Sequence, residues 1–227
     1  MTVTNWIHIS ALAITLALLI VAHILKKTVF QKICECLVIP IFGAFIVLFL
    51  KNYLPDSLHL IKVTIAALSL ATISTIFLSL EKFKILRILG RILILANIFC
   101  WITLYRSVFF IHSVPIWLIV LMSGIYIAGT LAAIILSGKQ EILFYILFTL
   151  SFALSSYLHF CSLIFLCYEK TGSAIMLFAG TTIFAGLTAF HFINQARLNF
   201  KHAGIIRYSL LIASQVLIAC SNILMIR

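Results

Sequence analysis

The sequence predicts an all-α polytopic membrane protein, a single bundle of about eight transmembrane helices, and three observations carry that expectation. The 227 residues are 64% hydrophobic and 9% charged, whereas a soluble domain is about 45–50% apolar and about 25% charged. The apolar residues gather into runs of about 20, the length that crosses a bilayer as a helix. Those runs lack the alternation of polarity at every second residue that a barrel strand needs. A chain of this size holds about ten such spans at most, so no extramembrane domain fits beside them.

The runs cover residues 6–25, 33–50, 59–80, 86–105, 114–136, 141–167, 173–195 and 204–226, and each ends for a local reason. The first is followed by Lys26-Lys27 and preceded by no Lys or Arg. A secretory signal has the opposite order, so this run is expected to remain as the first transmembrane helix. The later breaks are Leu54-Pro55-Asp56, Glu81-Lys82, Ser113-Val114-Pro115, Ser137-Gly138-Lys139, Lys170-Thr171-Gly172 and the longer stretch from Arg197 to Gly204. Short connections make consecutive helices antiparallel. With no internal repeat, low-complexity segment or linker, one domain spanning 1–227 is expected.

Sixteen Lys and Arg against five Asp and Glu give a formal charge of +11. The cations lie between apolar runs and form no dense basic patch of the kind that tracks phosphates, which excludes nucleic acid as a partner. They read as topology signals instead. Odd-numbered connections carry Lys26, Lys27, Lys32, Lys82, Lys84, Arg87, Arg91, Lys139, Arg197, Lys201 and Arg207, and the other side carries Lys51, Lys62, Arg106, Lys170 and Arg227. Eleven against five places the odd connections in the cytoplasm. Both termini are then non-cytoplasmic, and the expected location is a bacterial inner membrane. The six cysteines, Cys34, Cys36, Cys100, Cys161, Cys167 and Cys220, have no zinc-site spacing and read as packed thiols. No metal or cofactor is expected.

Ionisable groups inside a membrane usually mark function. Glu35, Asp56, Glu81, Glu141 and Glu169 all read as helix-end or connection residues, which argues against a cation-coupled transporter and against paired-carboxylate catalysis. Polar residues within the runs fall on faces. Ser151, Ser155, His159 and Ser162 recur at spacings of 4, 4 and 3 on the sixth run, and Thr181, Thr188, His191 and Gln195 at 7, 3 and 4 on the seventh, with Asn194 beside them. The eighth run places Tyr208, Gln215 and Asn222 seven apart; the third adds Thr72, Thr75 and Ser79, and the fourth Asn97. Such faces turn inward. They serve either as interhelical hydrogen bonding, worth about 0.6–2 kcal/mol per contact, or as the lining of a polar cavity.

The C-terminal third reads Gly180-x-x-x-Phe184, then Thr188-x-x-His191-x-x-Asn194, a basic connection, and Ser214-Gln215-x-Leu217-Ile218-Ala219. In this it resembles the YhhN family of lysoplasmalogenase-like membrane proteins, with Pro40 and Tyr145 as less specific points of likeness. The likeness follows helix order over most of the chain and is densest over residues 178–219. It implies a helical bundle that handles lysolipids. Three positions depart from the family pattern. Leu187-Thr188 stands where the family has Ser-Asp, Ser74-Thr75 where it has Gly-Asp, and Ile98, next to Asn97, where it usually has His.

The resemblance implies cleavage of a vinyl ether, which begins with protonation of carbon and so needs a positioned acid. A threonine hydroxyl has no useful acidity, which leaves His191 and His159 as candidate catalytic residues. Thr75, Asn97, Thr188, Asn194, Tyr208 and Gln215 are candidate substrate-binding residues. Two functions stay open: a lipid-binding membrane protein with hydrolase activity on alkenyl-ether lysolipids, or a catalytically inactive relative that binds lipid or a partner. The expected partners are membrane lipids or lysolipids, with a membrane-protein partner or a second copy as further candidates.

Overall fold

The computed structural model describes residues 10, 13–15, 17–18, 20–22, 24–25, 28–53, 58–80, 83–109, 114–138, 141–193 and 203–224. Its regular elements are helices: α1 (Ala13–Ala22), α2 (Thr28–Tyr53), α3 (Leu58–Ser79), α4 (Lys84–Phe109), α5 (Ile116–Ser137), α6 (Ile142–Glu169), α7 (Gly172–Ile193) and α8 (Ala203–Leu224). No strand occurs among the described residues. The six helices α2 to α7 are long and apolar enough to cross a membrane, while Ala13–Ala22 and the apolar part of α8, Ile206–Ser221, are shorter. The chain is therefore all-α, with the helices of an integral membrane protein.

From α3 onward the helix bounds fall within one or two residues of the apolar runs, except that α4 continues four residues past its run to Phe109, whereas α2 departs at both ends. It starts at Thr28, five residues ahead of the run that begins at 33. Helix propensity carries the backbone through Lys32 and Glu35, polar residues that interrupt an apolar count without interrupting a helix. This corrects the reading of Glu35 as a helix-end residue, because its side chain is 2% exposed and lies inside α2. At the other ends, α5 follows Pro115 and stops at Gly138, whose φ of 68° suits a residue without a Cβ. The helix α6 ends on Lys170 in the left-handed region, its N–H bonded to the Leu166 carbonyl.

The chain divides into two compact units, residues 1–101 and 102–227. In the first unit α2 packs on α3, with Gly43 against Leu68. Two interhelical bonds join α3 to α4: Ser74 Oγ donates to the Gly90 carbonyl at 2.8 Å, and Asn97 Nδ2 donates to the Ala67 carbonyl at 2.7 Å. That pairing, 74 with 90 and 67 with 97, is antiparallel. Buried polar groups in a membrane must find such partners, and here they also set the register.

In the second unit α7 packs most extensively on α8 and α6. A Cβ at Gly180 would lie 2.9 Å from the Ile218 side chain and 3.0 Å from the Ile218 backbone nitrogen. The absent side chain lets the α7 and α8 backbones touch, the close approach that small residues give membrane helices. Tyr105, at the end of α4, donates to the Ile218 carbonyl at 2.9 Å, and its hydroxyl lies 2.6 Å from Ser221 Oγ. Ser173 at the start of α7 donates to the Ser221 carbonyl at 2.9 Å. An aromatic core joins α5, α6 and α7, where Phe192 stacks on Phe148 at 3.6 Å and on Phe144 at 4.9 Å, with Ala133 and Phe152 beside them.

Candidate functional site

The polar residues of α6 and α7 meet along one seam. The spacing of His159 and Ser162 on α6 and of Phe178, Thr181 and Thr182 on α7 turns each set toward the other helix. Ser162 Oγ lies 2.6 Å from Thr181 Oγ1, and Thr181 and Thr182 both donate to the Phe178 carbonyl, at 3.0 and 2.7 Å. Above them, the His159 ring is held at both nitrogens. Nε2 is 3.0 Å from Thr182 Oγ1, and Nδ1 is 2.5 Å from the hydroxyl of Tyr126 on α5.

These contacts define the histidine tautomer. Thr182 spends its one hydroxyl proton on the Phe178 carbonyl, so its oxygen accepts from His159 Nε2. Nδ1 is then the unprotonated nitrogen and accepts from the Tyr126 phenol. The result is a directed chain from Tyr126 to His159 to Thr182 to the Phe178 carbonyl. The Phe178 ring stacks on the imidazole at 5.0 Å, and the Tyr126 ring meets it edge-on at 6.0 Å.

The depth of this cluster matters. Tyr126 is the eleventh residue of the 22-residue α5, and Thr182 is the eleventh of the 22-residue α7. The ionisable imidazole is therefore held halfway along spanning helices, where such groups are costly and usually functional. Thr182 is exposed and Tyr126 and His159 are half-buried, so the cluster is reached from the outer side of the unit. Tyr126 and Thr182 do not stand out in the sequence, because α5 reads as a uniformly apolar run and the polar stripe of the seventh run passes through Thr181. A hydroxyl in the middle of each apolar run was the signal that could have found them.

The other residues expected at the site behave differently. Thr188 Oγ1 donates to the Phe184 carbonyl at 3.0 Å, and Thr75 Oγ1 donates to the Ala71 carbonyl at 2.8 Å, each within its own helix. Asn97 bonds the Ala67 carbonyl, one turn before Ala71 on α3, so Thr75 and Asn97 both address that helix. Gln215 and Ser214 are buried on α8. The Tyr208 hydroxyl accepts a 3.0 Å bond from Arg207, whose guanidinium carbon lies 4.6 Å from the Tyr208 ring centre. The side chain of His191 and the whole of Asn194 lie outside the described residues.

The two candidate histidines are well separated. His159 meets α7 at Thr182, whereas His191 is nine residues farther along that helix, about 13 Å at the α-helical rise. No group of three or more His, Cys, Asp or Glu suited to hold a metal occurs among the described residues, and the six cysteines are free thiols. Compared with protein-family models, curated proteins and solved structures, the chain matches none of them.

Proposed function

We propose that this chain is a membrane protein of eight transmembrane helices, akin to the lysoplasmalogenase-like proteins, that binds a lysolipid-class amphiphile without efficient acid-dependent hydrolysis. The observation that carries the reading is the state of the two threonines at the family's acidic positions. Both Thr75 and Thr188 close their hydroxyls onto carbonyls of their own helices. They act there as packing residues with no proton to deliver to a vinyl carbon. The proposed setting is a bacterial inner membrane with both termini outside the cytoplasm, from the eleven-to-five cation split.

One observation favours the second reading, hydrolysis of the alkenyl ether. The Tyr126 and Thr182 contacts orient the His159 imidazole at the middle of the spanning helices, and a protonated imidazole is a side chain of this cluster with the acidity that carbon protonation needs.

Aldehyde release from the purified protein in nanodiscs, given 1-alkenyl lysolipids, separates the two. Binding without release, and release created by Thr188→Asp, support the first reading. Robust wild-type release that His159→Ala or His191→Ala abolishes establishes the second. Release that survives both substitutions and is lost in Glu35→Gln would make the buried carboxylate the acid. For the topology, labelling of Lys84→Cys from the cytoplasmic side and Lys51→Cys from the opposite side is expected, and the reverse pattern would invert the orientation.

A further inference from the structure

The first half of α4 carries Lys84, Arg87 and Arg91. Its exposed side presents Ile85, Leu89, Ile92 and Phe99, while Gly90, Asn97, Ile98 and Trp101 are buried. At about 100° per residue, Arg87 and Arg91 fall in the buried arc, opposite the exposed one. Both are half-buried, and the Nε of Arg87 is buried with no hydrogen-bond acceptor. A guanidinium donor left unpaired inside an apolar bundle is costly. Long cations near helix ends usually lower that cost by reaching out to water, and Arg87 does not present its Nε that way.

The neighbouring charges point the same way. The helices α2 and α3 are joined by residues 54–57 and pack on one another, and α3 runs antiparallel to α4. The starts of α2 and α4 therefore share one end of this unit. Among the described residues, that end holds Lys32, Lys84, Arg87 and Arg91 against one carboxylate, Glu35, which is buried. Four cations and one anion leave an excess of three positive charges. Arg87 stands one turn inside the start of α4, near the end of the apolar segment Lys84–Tyr105 that is long enough to cross a membrane, and its planar fork matches phosphate oxygens.

We propose that Arg87, with Arg91, binds the phosphate of a diacyl anionic phospholipid at this end of α2, α3 and α4. The site is separate from the His159 cluster, shares no residue with it, and stands whether or not the chain acts on lysolipids. A phosphate draws the half-buried Arg87 side chain toward the headgroup and so gives its Nε the acceptor it lacks in this structure, and the net negative charge of the headgroup answers the local excess of cations.

The test is native mass spectrometry of the full chain, released from nanodiscs containing phosphatidylglycerol or phosphatidylcholine, with oleate and inorganic phosphate as separate additions. The expected result is retained phosphatidylglycerol, with phosphatidylcholine held at least about tenfold more weakly, because both lipids offer a phosphodiester but the choline ammonium cancels its charge and is repelled by the surrounding cations. Arg87→Gln should lower phosphatidylglycerol retention by a similar factor, Arg87→Lys should restore part of it, and Lys51→Gln, on an exposed residue at the other end of α2, should leave it unchanged. Circular dichroism of each variant checks that the helices persist, and Arg91→Gln gives an independent reading should Arg87→Gln not fold. Equal retention of both lipids, or retention unaffected by both arginine variants, overturns the proposal. Displacement by inorganic phosphate at matching concentration would reassign the site to free phosphate, and preferential retention of oleate would reassign it to a carboxylate.

Discussion

The Tyr126 phenol donates a 2.5 Å hydrogen bond to Nδ1 of His159, and that bond ties α5 to α6 at mid-depth. The rest of α5 is largely exposed apolar surface, with Trp117, Val120 and Ile127 at 66%, 66% and 60%. Against that background, Tyr126 is the polar anchor of the helix in its middle turn, as Ala133 is its apolar anchor two turns further along the same face.

The coupling of these two residues is measurable. In a double-mutant cycle of Tyr126→Phe and His159→Ala, followed by reversible unfolding in mixed micelles, the interaction energy should fall within about 0.6–1.7 kcal/mol, the range of interhelical hydrogen bonds in membranes. A value indistinguishable from zero would mean that the two side chains do not share a bond in the folded protein. Tyr126→Phe alone should destabilise by about 1 kcal/mol, because it leaves Nδ1 without its donor.

Gly180 should tolerate no side chain. In Gly180→Ala the added carbon meets the Ile218 backbone nitrogen at 3.0 Å, which no rotamer change relieves, so α7 and α8 must separate. The expected loss is about 1–3 kcal/mol, as for an overpacked core. Gly124→Ala is the control, since a Cβ there meets nothing within 4 Å. Equal stability of the two variants would show that α7 and α8 are not in close contact.

The aromatic stack should carry more stability than any single polar contact. Phe192→Ala removes a ring packed on both Phe148 and Phe144 and is expected to cost about 3–5 kcal/mol. Trp117→Ala deletes a larger side chain from the exposed face of α5 and should change stability by less than about 0.5 kcal/mol. Comparable losses at the two sites would place Trp117 in a packed interface.

The chain's long apolar runs determined its all-α class by themselves, and with it most of the helix limits from α3 onward. The runs at 59–80 and 204–226 became Leu58–Ser79 and Ala203–Leu224, because a stretch of that length and composition has one stable form in hydrocarbon, the helix that satisfies its own backbone. Periodicity also placed His159 and Ser162 on one stripe, and that stripe does face α7. It could not supply the partner. A stripe records direction around its own axis, whereas the match of His159 with Tyr126 and Thr182 depends on the rotation and axial offset of three separate helices. Those offsets are set by contacts far from the imidazole, among them the missing side chain at Gly180 and the stack under Phe192. The same limit hid Glu35 and Arg87. Near a helix end, only the tertiary packing decides whether a charged side chain reaches water or, as in these two, is drawn against the protein interior.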